Sequence, residues 1–317
     1  MPDRDFAAIS ERTRLLVVAP HPDDETIATG LLIQQVRACG GEVRILLLTG
    51  GDNNPWPQRW LERRLWIGAA ARQRWGQRRH AEMLQALACL ELSEQALHPM
   101  GWSDMGITDA LLSRTAQAVA SVAEVIEAFQ PNLIVIPSLN DRHPDHGSAH
   151  VLLRLALAGR PVQTPWLAYL VHGQALHDVM LVLPGSVDQL AKKNEALEAH
   201  RSQMALSGKR MRRFAARPER FEGGSSTSTR PSAALPWQPA VWLRPWLRLS
   251  VVGPQGAHTW PWRDAPLKRD EAGRFYLCFA PESAATPCFA RLALSFPTFW
   301  IFDRWGWCEL LPPLAGY

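Results

Sequence analysis

The 317-residue chain has no uninterrupted apolar run long enough to cross a bilayer, although 47% of its residues are hydrophobic. No transmembrane segment is therefore expected. Met1 to Arg14 mixes charges of both signs and lacks an apolar h-region, so no secretory signal is visible and the chain reads as cytoplasmic. Cysteine is scarce. The five thiols (Cys39, Cys89, Cys278, Cys288, Cys308) are odd in number and lack metal-site spacing, and they read as reduced, mostly buried side chains. No internal repeat and no nucleic-acid-binding motif is present, and the net charge of +4 is mild. Arginines do gather at 59–79 and 209–220. A solvated basic face is the plain reading; contact with an anionic substrate or with the inner face of a membrane is the sharper one.

The chain is long enough for one large α/β domain plus a smaller module. Arg14 to Ala19 reads as a buried strand, Thr26 to Ala38 as a helix stopped by Gly40-Gly41, and Val43 to Leu48 as a second buried strand. This βαβ unit implies parallel neighbours. Residues 52–75, rich in Trp, Arg and Pro, read as a long loop with some helix. Helices are expected over 77–90, 109–129, 145–158 and 187–204, and strands over 96–100, 133–136, 167–171 and 179–183. The alternation predicts a Rossmann-like, doubly wound, mostly parallel sheet. After Glu222 the texture changes. A Gly/Ser/Thr tract reads as a flexible linker over 223–240. Short apolar runs at 246–252, 274–279, 289–296 and 299–302 then predict a β-rich C-terminal extension, a Trp-rich subdomain over 241–317. The tryptophans beyond the Gly/Ser/Thr tract are Trp237, Trp242, Trp246, Trp260, Trp262, Trp300, Trp305 and Trp307.

Two clusters carry chemistry. Ala19-Pro20-His21-Pro22-Asp23-Asp24-Glu25 follows the first strand, and Asp141-Arg142-His143-Pro144-Asp145-His146 follows the 133–136 strand. In open α/β sheets functional groups collect at the carboxyl ends of strands. Each turn alone would be no more than a helix cap; together they suggest one site built from two halves. Two imidazoles and a carboxylate suit a catalytic zinc with an open position for water. A second aspartate left off the metal suits a general base, and a further histidine suits an oxyanion stabiliser. Spacing alone does not say which of Asp23 and Asp24 binds metal.

These motifs resemble the PIG-L/LmbE-like family of zinc-dependent de-N-acetylases. The resemblance extends to Arg79-His80-Ala81-Glu82 and His200-Arg201-Ser202-Gln203, and covers about residues 12 to 222. It implies a deacetylase domain over 1–222, one Zn2+ per chain held by His21, Asp24 and His146, Asp23 as general base and His143 as the stabilising histidine. It also implies Asp145 as the carboxylate that orients a histidine, and Arg79 and Asp104 as substrate contacts. Glu25 is as suited to capping the next helix as to touching the site, and His150, His172 and His200 suit packing or hydrogen-bonding roles. Leu48-Thr49-Gly50-Gly51-Asp52 departs from the family's usual Thr-Asp-Gly, which displaces a loop carboxylate to Asp52.

The implied function is hydrolysis of the N-acetyl group of an N-acetylated amino sugar or glycoconjugate, anionic or lipid-linked forms included. The reading admits a homo-oligomer. The rival readings are a metal-dependent phosphoesterase, which needs a second metal, and a non-catalytic glycan- or lipid-binding protein on the same fold.

Overall fold

The computed structural model describes residues 9–160, 164–173, 179–223, 234–278, 287–296 and 301–310. Strand β1 (Arg14–Ala19), helix α1 (Asp24–Ala38) and strand β2 (Glu42–Thr49) form the expected βαβ unit, with Val17 of β1 opposite Ile45 of β2 in a parallel pair. Helix α1 stops where Gly40 takes φ of 82° and the Gly41 N–H returns 2.9 Å to the Val36 carbonyl, a turn that needs a residue free to adopt positive φ.

The remaining strands of the main sheet are β3 (Leu97–Trp102), β4 (Leu133–Pro137), β5 (Trp166–Tyr169), β6 (Val179–Leu183) and β7 (Glu219–Gly223). Their order is β3-β2-β1-β4-β5-β7-β6. The run from β3 to β5 is parallel, and β7 is antiparallel to both β5 and β6. The sheet is thus mostly parallel. Its strand order reverses at β1, so that β2 and β4 flank β1 on opposite sides.

Side chains alternate across this sheet between two apolar clusters. Leu15, Val17, Ala19, Ile45, Leu47 and Val135 enter one; Leu16, Val18, Leu46, Leu48, Ile134 and Ile136 enter the other. Period-two alternation on strands buried on both faces explains why they read as continuous apolar runs. The first cluster includes residues of α1, α3 (Ala69–Cys89), α7 (Val187–Ala199) and α8 (Arg201–Ala215); the second includes α4 (Ile107–Ser113), α5 (Thr115–Phe129) and α6 (Pro144–Ala158).

Two expected helices are each split. The 109–129 helix divides at Arg114, whose φ of −140° breaks the helical path between α4 and α5. The 187–204 helix divides at His200, where buried partners hold the junction: Glu25 lies 3.3 Å from the His200 imidazole, and Glu82 accepts the Ser202 backbone N–H at 3.0 Å. Apolar periodicity continues across both breaks because each pair of helices faces the same core. The 52–75 segment contains α2 (Pro55–Glu62), and α3 starts at Ala69 rather than Gln77.

Beyond the main sheet, β8 (Leu247–Gly253), β9 (Gly256–Pro261), β12 (Cys288–Leu294) and β13 (Gly306–Leu310) form an antiparallel sheet in the order β13-β12-β8-β9, and β10 (Leu267–Arg269) pairs with β11 (Phe275–Leu277). Trp237 and Trp262 are buried in a third cluster with Leu247, Leu249 and Phe275, while Trp242 and Trp246 are exposed. Trp300, most of the expected linker and part of the 299–302 strand lie outside the described residues; Ile301 and Phe302 are not in a strand. The second sheet docks on α6. Trp307 donates its indole N–H to Ser148 Oγ at 3.1 Å, and Arg154 makes two hydrogen bonds to Glu309.

Buried His150 on α6 has its Nδ1 2.8 Å from the Pro137 carbonyl, and burial, reinforced by Arg154, lowers its pKa from 6.5 to about 3. The folded state therefore binds this proton less readily than the unfolded chain. The neutral ring favours the fold above the unfolded pKa, and that contribution is lost as pH falls towards about 3. His150→Phe is expected to flatten the acid limb of stability over this window by up to about 1.4 kcal/mol per pH unit, read by urea unfolding at stepped pH. An unchanged slope would contradict the assignment.

Candidate metal centre

The order reversal at β1 places the carboxyl ends of β1 and β4 side by side, with Val17 opposite Val135. The turn after β1 carries His21 to Asp24; the turn after β4 carries Asp141 to His146. Both turns run directly into helices, α1 and α6. The two sequence clusters meet here.

Asp24 is the hub. Its Oδ2 accepts the backbone N–H of His21 at 2.9 Å and lies 3.3 Å from His21 Nδ1 and 3.2 Å from His146 Nε2. The other nitrogen of each ring faces a further carboxylate. His21 Nε2 is 3.2 Å from Asp104 and 3.3 Å from Asp145, and His146 Nδ1 is 3.1 Å from Asp141. Burial opposes the charged form of every group here, but mutual pairing outweighs it: the carboxyls of Asp24, Asp104 and Asp141 are held below their usual range. Against the same burial penalty, Asp24 and Asp141 raise His146 to about 10, and His21 is raised well above 6.5, chiefly by Asp104.

Asp23 stands apart from the imidazoles. Its backbone takes φ of 118°, a conformation L-residues rarely adopt, and its carboxylate accepts from Arg79 Nη2 at 3.2 Å. Burial raises its pKa to about 6, with Arg79 opposing and Asp24 adding to the rise. Arg79 is itself buried and donates to the carbonyls of Gly51, at 3.0 Å, and Pro22. Gly51 has φ of 61°, and a Cβ there would lie 1.9 Å from Arg79 Nη1. The unusual Gly50-Gly51-Asp52 turn thus makes room for Arg79. Asp52 also accepts the Asp104 backbone N–H at 3.1 Å.

His143 caps α6, its Nδ1 accepting the Asp145 backbone N–H at 3.3 Å. A ring that accepts at Nδ1 carries its proton on Nε2 when neutral. Burial and the neighbouring His21, His146 and His172 rings push its pKa well below 6.5, which favours that neutral form. Asp145 also accepts the N–H groups of Met105 and Ile107 at 2.7 and 3.2 Å, fixing the loop that carries Asp104.

The structure also brings to the site residues for which sequence patterns implied no site role. His172, from the turn after β5, groups with Asp24 and His146 as possible metal-binding donors, and its ring lies 5.1 Å from that of His146. Burial lowers its pKa to about 4. It has no motif around it, so only the neighbouring strands reveal it. Asp141 anchors the whole turn, accepting N–H groups from His143, Val171 and His172 at 2.9–3.0 Å. Its position five residues before His146 was the available signal. By contrast, Glu25 is wholly buried, accepts the Asp23 N–H at 3.0 Å and pairs with His200, which are structural roles. Arg79 and Asp104 each have polar contacts within the protein.

The donor set suits a divalent metal. His146 Nε2 is fully buried with no hydrogen-bond partner: Asp24 is within ionic distance but off-line for a hydrogen bond. An orphaned imidazole nitrogen, a second imidazole and a shared carboxylate match the N/O ligand chemistry of zinc. The groups able to hold an ion interlock through His21 and His146, as expected for a single centre.

Residues 16–157 match the PIG-L family, described as GlcNAc-PI de-N-acetylase. The chain is 29% identical, over 197 residues, to the 1D-myo-inositol 2-acetamido-2-deoxy-alpha-D-glucopyranoside deacetylase of Mycolicibacterium vanbaalenii, covering 56% of this chain and 66% of that protein. It spans about half to two-thirds of the length of the curated relatives it matches. Among solved structures, the N,N'-diacetylchitobiose deacetylase of Pyrococcus horikoshii superposes with a TM-score of 0.52 at 18% identity, over 66% of this chain and 82% of its own. The 4-carboxy-2-hydroxymuconate hydratase of Pseudomonas putida gives 0.51 at 16% identity, over 68% and 97%. These likenesses establish the fold. Because a hydratase shares it, the fold by itself does not choose the reaction.

Asp141→Asn keeps a hydrogen-bonding group against His146 but removes the charge that steadies it. Zinc affinity measured with a competing chelator is expected to fall roughly 10–100-fold. Unchanged affinity would show that His146 is not a ligand.

Proposed function

We propose that this chain, whose residues 16–157 belong to the PIG-L family, is a zinc-dependent hydrolase that removes the acetyl group from an N-acetylated amino sugar or glycoconjugate. The observation that carries the reading is the division of labour between adjacent aspartates. Asp24 Oδ2 is shared by His21 and His146, while Asp23 is turned onto Arg79 with a pKa raised to about 6. A binding protein has no use for a spare buried base. A phosphoesterase with two metals would need a second independent ligand set, whereas the candidate groups interlock. The amino-sugar substrate named for the mycobacterial relative supports the substrate class.

In this reading His21, Asp24 and His146 hold the metal. When bound, zinc supplies Lewis acidity towards the amide carbonyl and lowers the pKa of water. Asp23 takes the proton from the attacking water. The water oxygen bonds to the acyl carbon, the C–N bond breaks, and the proton passes to the leaving amine. A carboxylate with a pKa near 6 is ionised at neutral pH yet basic enough for this exchange. Arg79 fixes the direction of the Asp23 carboxylate, and His143, protonated on Nε2, is the donor for the carbonyl oxygen as charge develops there. Asp145 and Asp104 steady His21, and Asp141 steadies His146.

We also propose a cytoplasmic protein that touches a membrane surface. No helix among the described residues is long and apolar enough to cross one. Trp56, Trp60, Leu65 and Trp66 are 66–89% exposed on and just after α2, interleaved with Arg59, Arg63 and Arg64. Apolar rings beside cations suit the interface of an anionic bilayer. Co-sedimentation with vesicles containing anionic lipid, lost in Trp60→Ser/Trp66→Ser, is the expected result; equal sedimentation of the variant would remove this surface from consideration.

Asp23→Asn is expected to retain zinc by metal analysis while acetate release from N-acetyl sugars falls about 10²–10⁴-fold. Chelation should abolish wild-type release and added zinc restore it. Wild-type turnover in Asp23→Asn would sink the base assignment.

A further inference from the structure

A cavity of about 330 Å³ opens directly beside the metal centre, with His172 in its wall. Four arginines, Arg142, Arg210, Arg213 and Arg217, line it, and Phe302 supplies an apolar side. The arginines come from two distant segments. Arg142 lies in the turn after β4, whose N–H donates to the His172 carbonyl at 3.0 Å. Arg210 and Arg213 lie on α8 at i and i+3, which puts them on one helix face, and Arg217 follows two residues past the helix end.

That face differs from the rest of the helix. Arg212 points elsewhere and makes two hydrogen bonds to Glu198. Arg14, Arg74, Arg78, Arg154, Arg274 and Arg291 likewise pair with carboxylates. No cavity arginine has a carboxylate partner among the described residues. Arg210 instead donates to His172 Nδ1 at 3.1 Å, which ties the basic cavity to the donor cluster of Asp24, His146 and His172. Like charges converging on one concavity repel one another, and an anionic ligand relieves that repulsion. Guanidinium forks match phosphoryl oxygens in geometry as well as in charge. The volume exceeds what a lone small ion needs and lies at the lower end of the range for organic ligand sites.

We propose that Arg142, Arg210, Arg213 and Arg217 form a phosphoryl-binding subsite, so that the substrate is an N-acetylated sugar carrying a phosphate ester beside its acetamido group. This rests on the de-N-acetylase reading, since one molecule must reach both the metal centre and the arginines. The phosphoryl group comes from either of two sources, a sugar phosphate or a lipid-linked phosphodiester.

The test has a binding arm and a turnover arm. Inorganic pyrophosphate is titrated calorimetrically into the full-length zinc-loaded protein. Binding that weakens with added salt is expected, with a loss of roughly tenfold for each arginine removed in Arg213→Gln and Arg217→Gln. Arg212→Gln, outside the cavity, should bind as wild type. All these arginines are exposed, so the variants should fold, and a thermal melt checks that they do. No pyrophosphate binding, or equal loss in Arg212→Gln, overturns the subsite. In the turnover arm, acetate release is compared for methyl N-acetylglucosaminide, N-acetylglucosamine 1-phosphate and a short-chain lipid N-acetylglucosaminyl phosphodiester in micelles. A kcat/KM advantage for either phosphorylated compound that collapses in the double variant supports the proposal, and the preferred compound identifies the source. Acetate release with no such advantage overturns it while leaving the de-N-acetylase reading intact. Pyrophosphate binding without acetate release from any compound overturns that reading and, with it, the assignment of this ligand as substrate.

Discussion

The adjacency of β1 and β4 is the constraint on which the rest depends. Because the strand order reverses at β1, the two central parallel strands end side by side, which is where open α/β sheets gather functional groups. The chain must leave β1 and enter α1 within a few residues, and it does so through Asp23 at φ of 118°. That strained residue lets its neighbour Asp24 face both His21 and His146 while its own carboxylate faces Arg79. A relaxed backbone at this position would change the angle between two consecutive side chains, and the proposed separation of ligand from base rests on that angle. The strain is local, and buried Glu25, accepting the Asp23 N–H, helps to hold it.

The electrostatics follow from this geometry. Ionised groups this deeply buried would each be costly alone. Here they alternate in sign: Asp141, His146, Asp24 and His21 form a chain closed by Asp104 and Asp145. A divalent cation fits such a chain because it replaces protons on the imidazoles with a charge that the same carboxylates already complement. The carboxylates in contact with the far nitrogens fix the ring orientations and so keep the ligand atoms converged.

Much of this was legible in the sequence. Strand β1 falls on the expected residues, and both motif turns follow buried strands as read. Composition and local order suffice there because a doubly buried strand and a cap-rich turn each leave a local mark. What was not legible depends on distant partners. Strand β7 reads as polar because it contains Glu219 and Glu222, yet Glu219 is buried against Lys193 and Glu222 accepts from Ser138 Oγ at 3.1 Å. The breaks at Arg114 and His200 interrupt helices whose apolar faces continue in phase. His172 reaches the site only because β5 lies next to β4, a fact of topology that no local pattern encodes.

The C-terminal sheet, which the sequence marked only as β-rich and Trp-rich, bears on the site first through α6. Gly147 follows His146 on α6, and a Cβ there would lie 2.8 Å from the Trp307 ring. Glycine at this position thus lets the second sheet press onto the helix that carries His146, while Trp307 bonds to Ser148 and Glu309 to Arg154 on the same helix. The same segment brings Phe302 within 5.3 Å of the His172 ring and joins the Asp303 N–H to the Arg142 carbonyl at 2.7 Å. One wall of the arginine-lined cavity is therefore supplied by the extension and the other by α8. The candidate metal centre depends on the βα turns of the main sheet, but the space beside it depends on both sheets being in place. That division fits the proposed reaction, with its chemistry set by one part of the chain and its proposed choice of substrate set where the extension meets it.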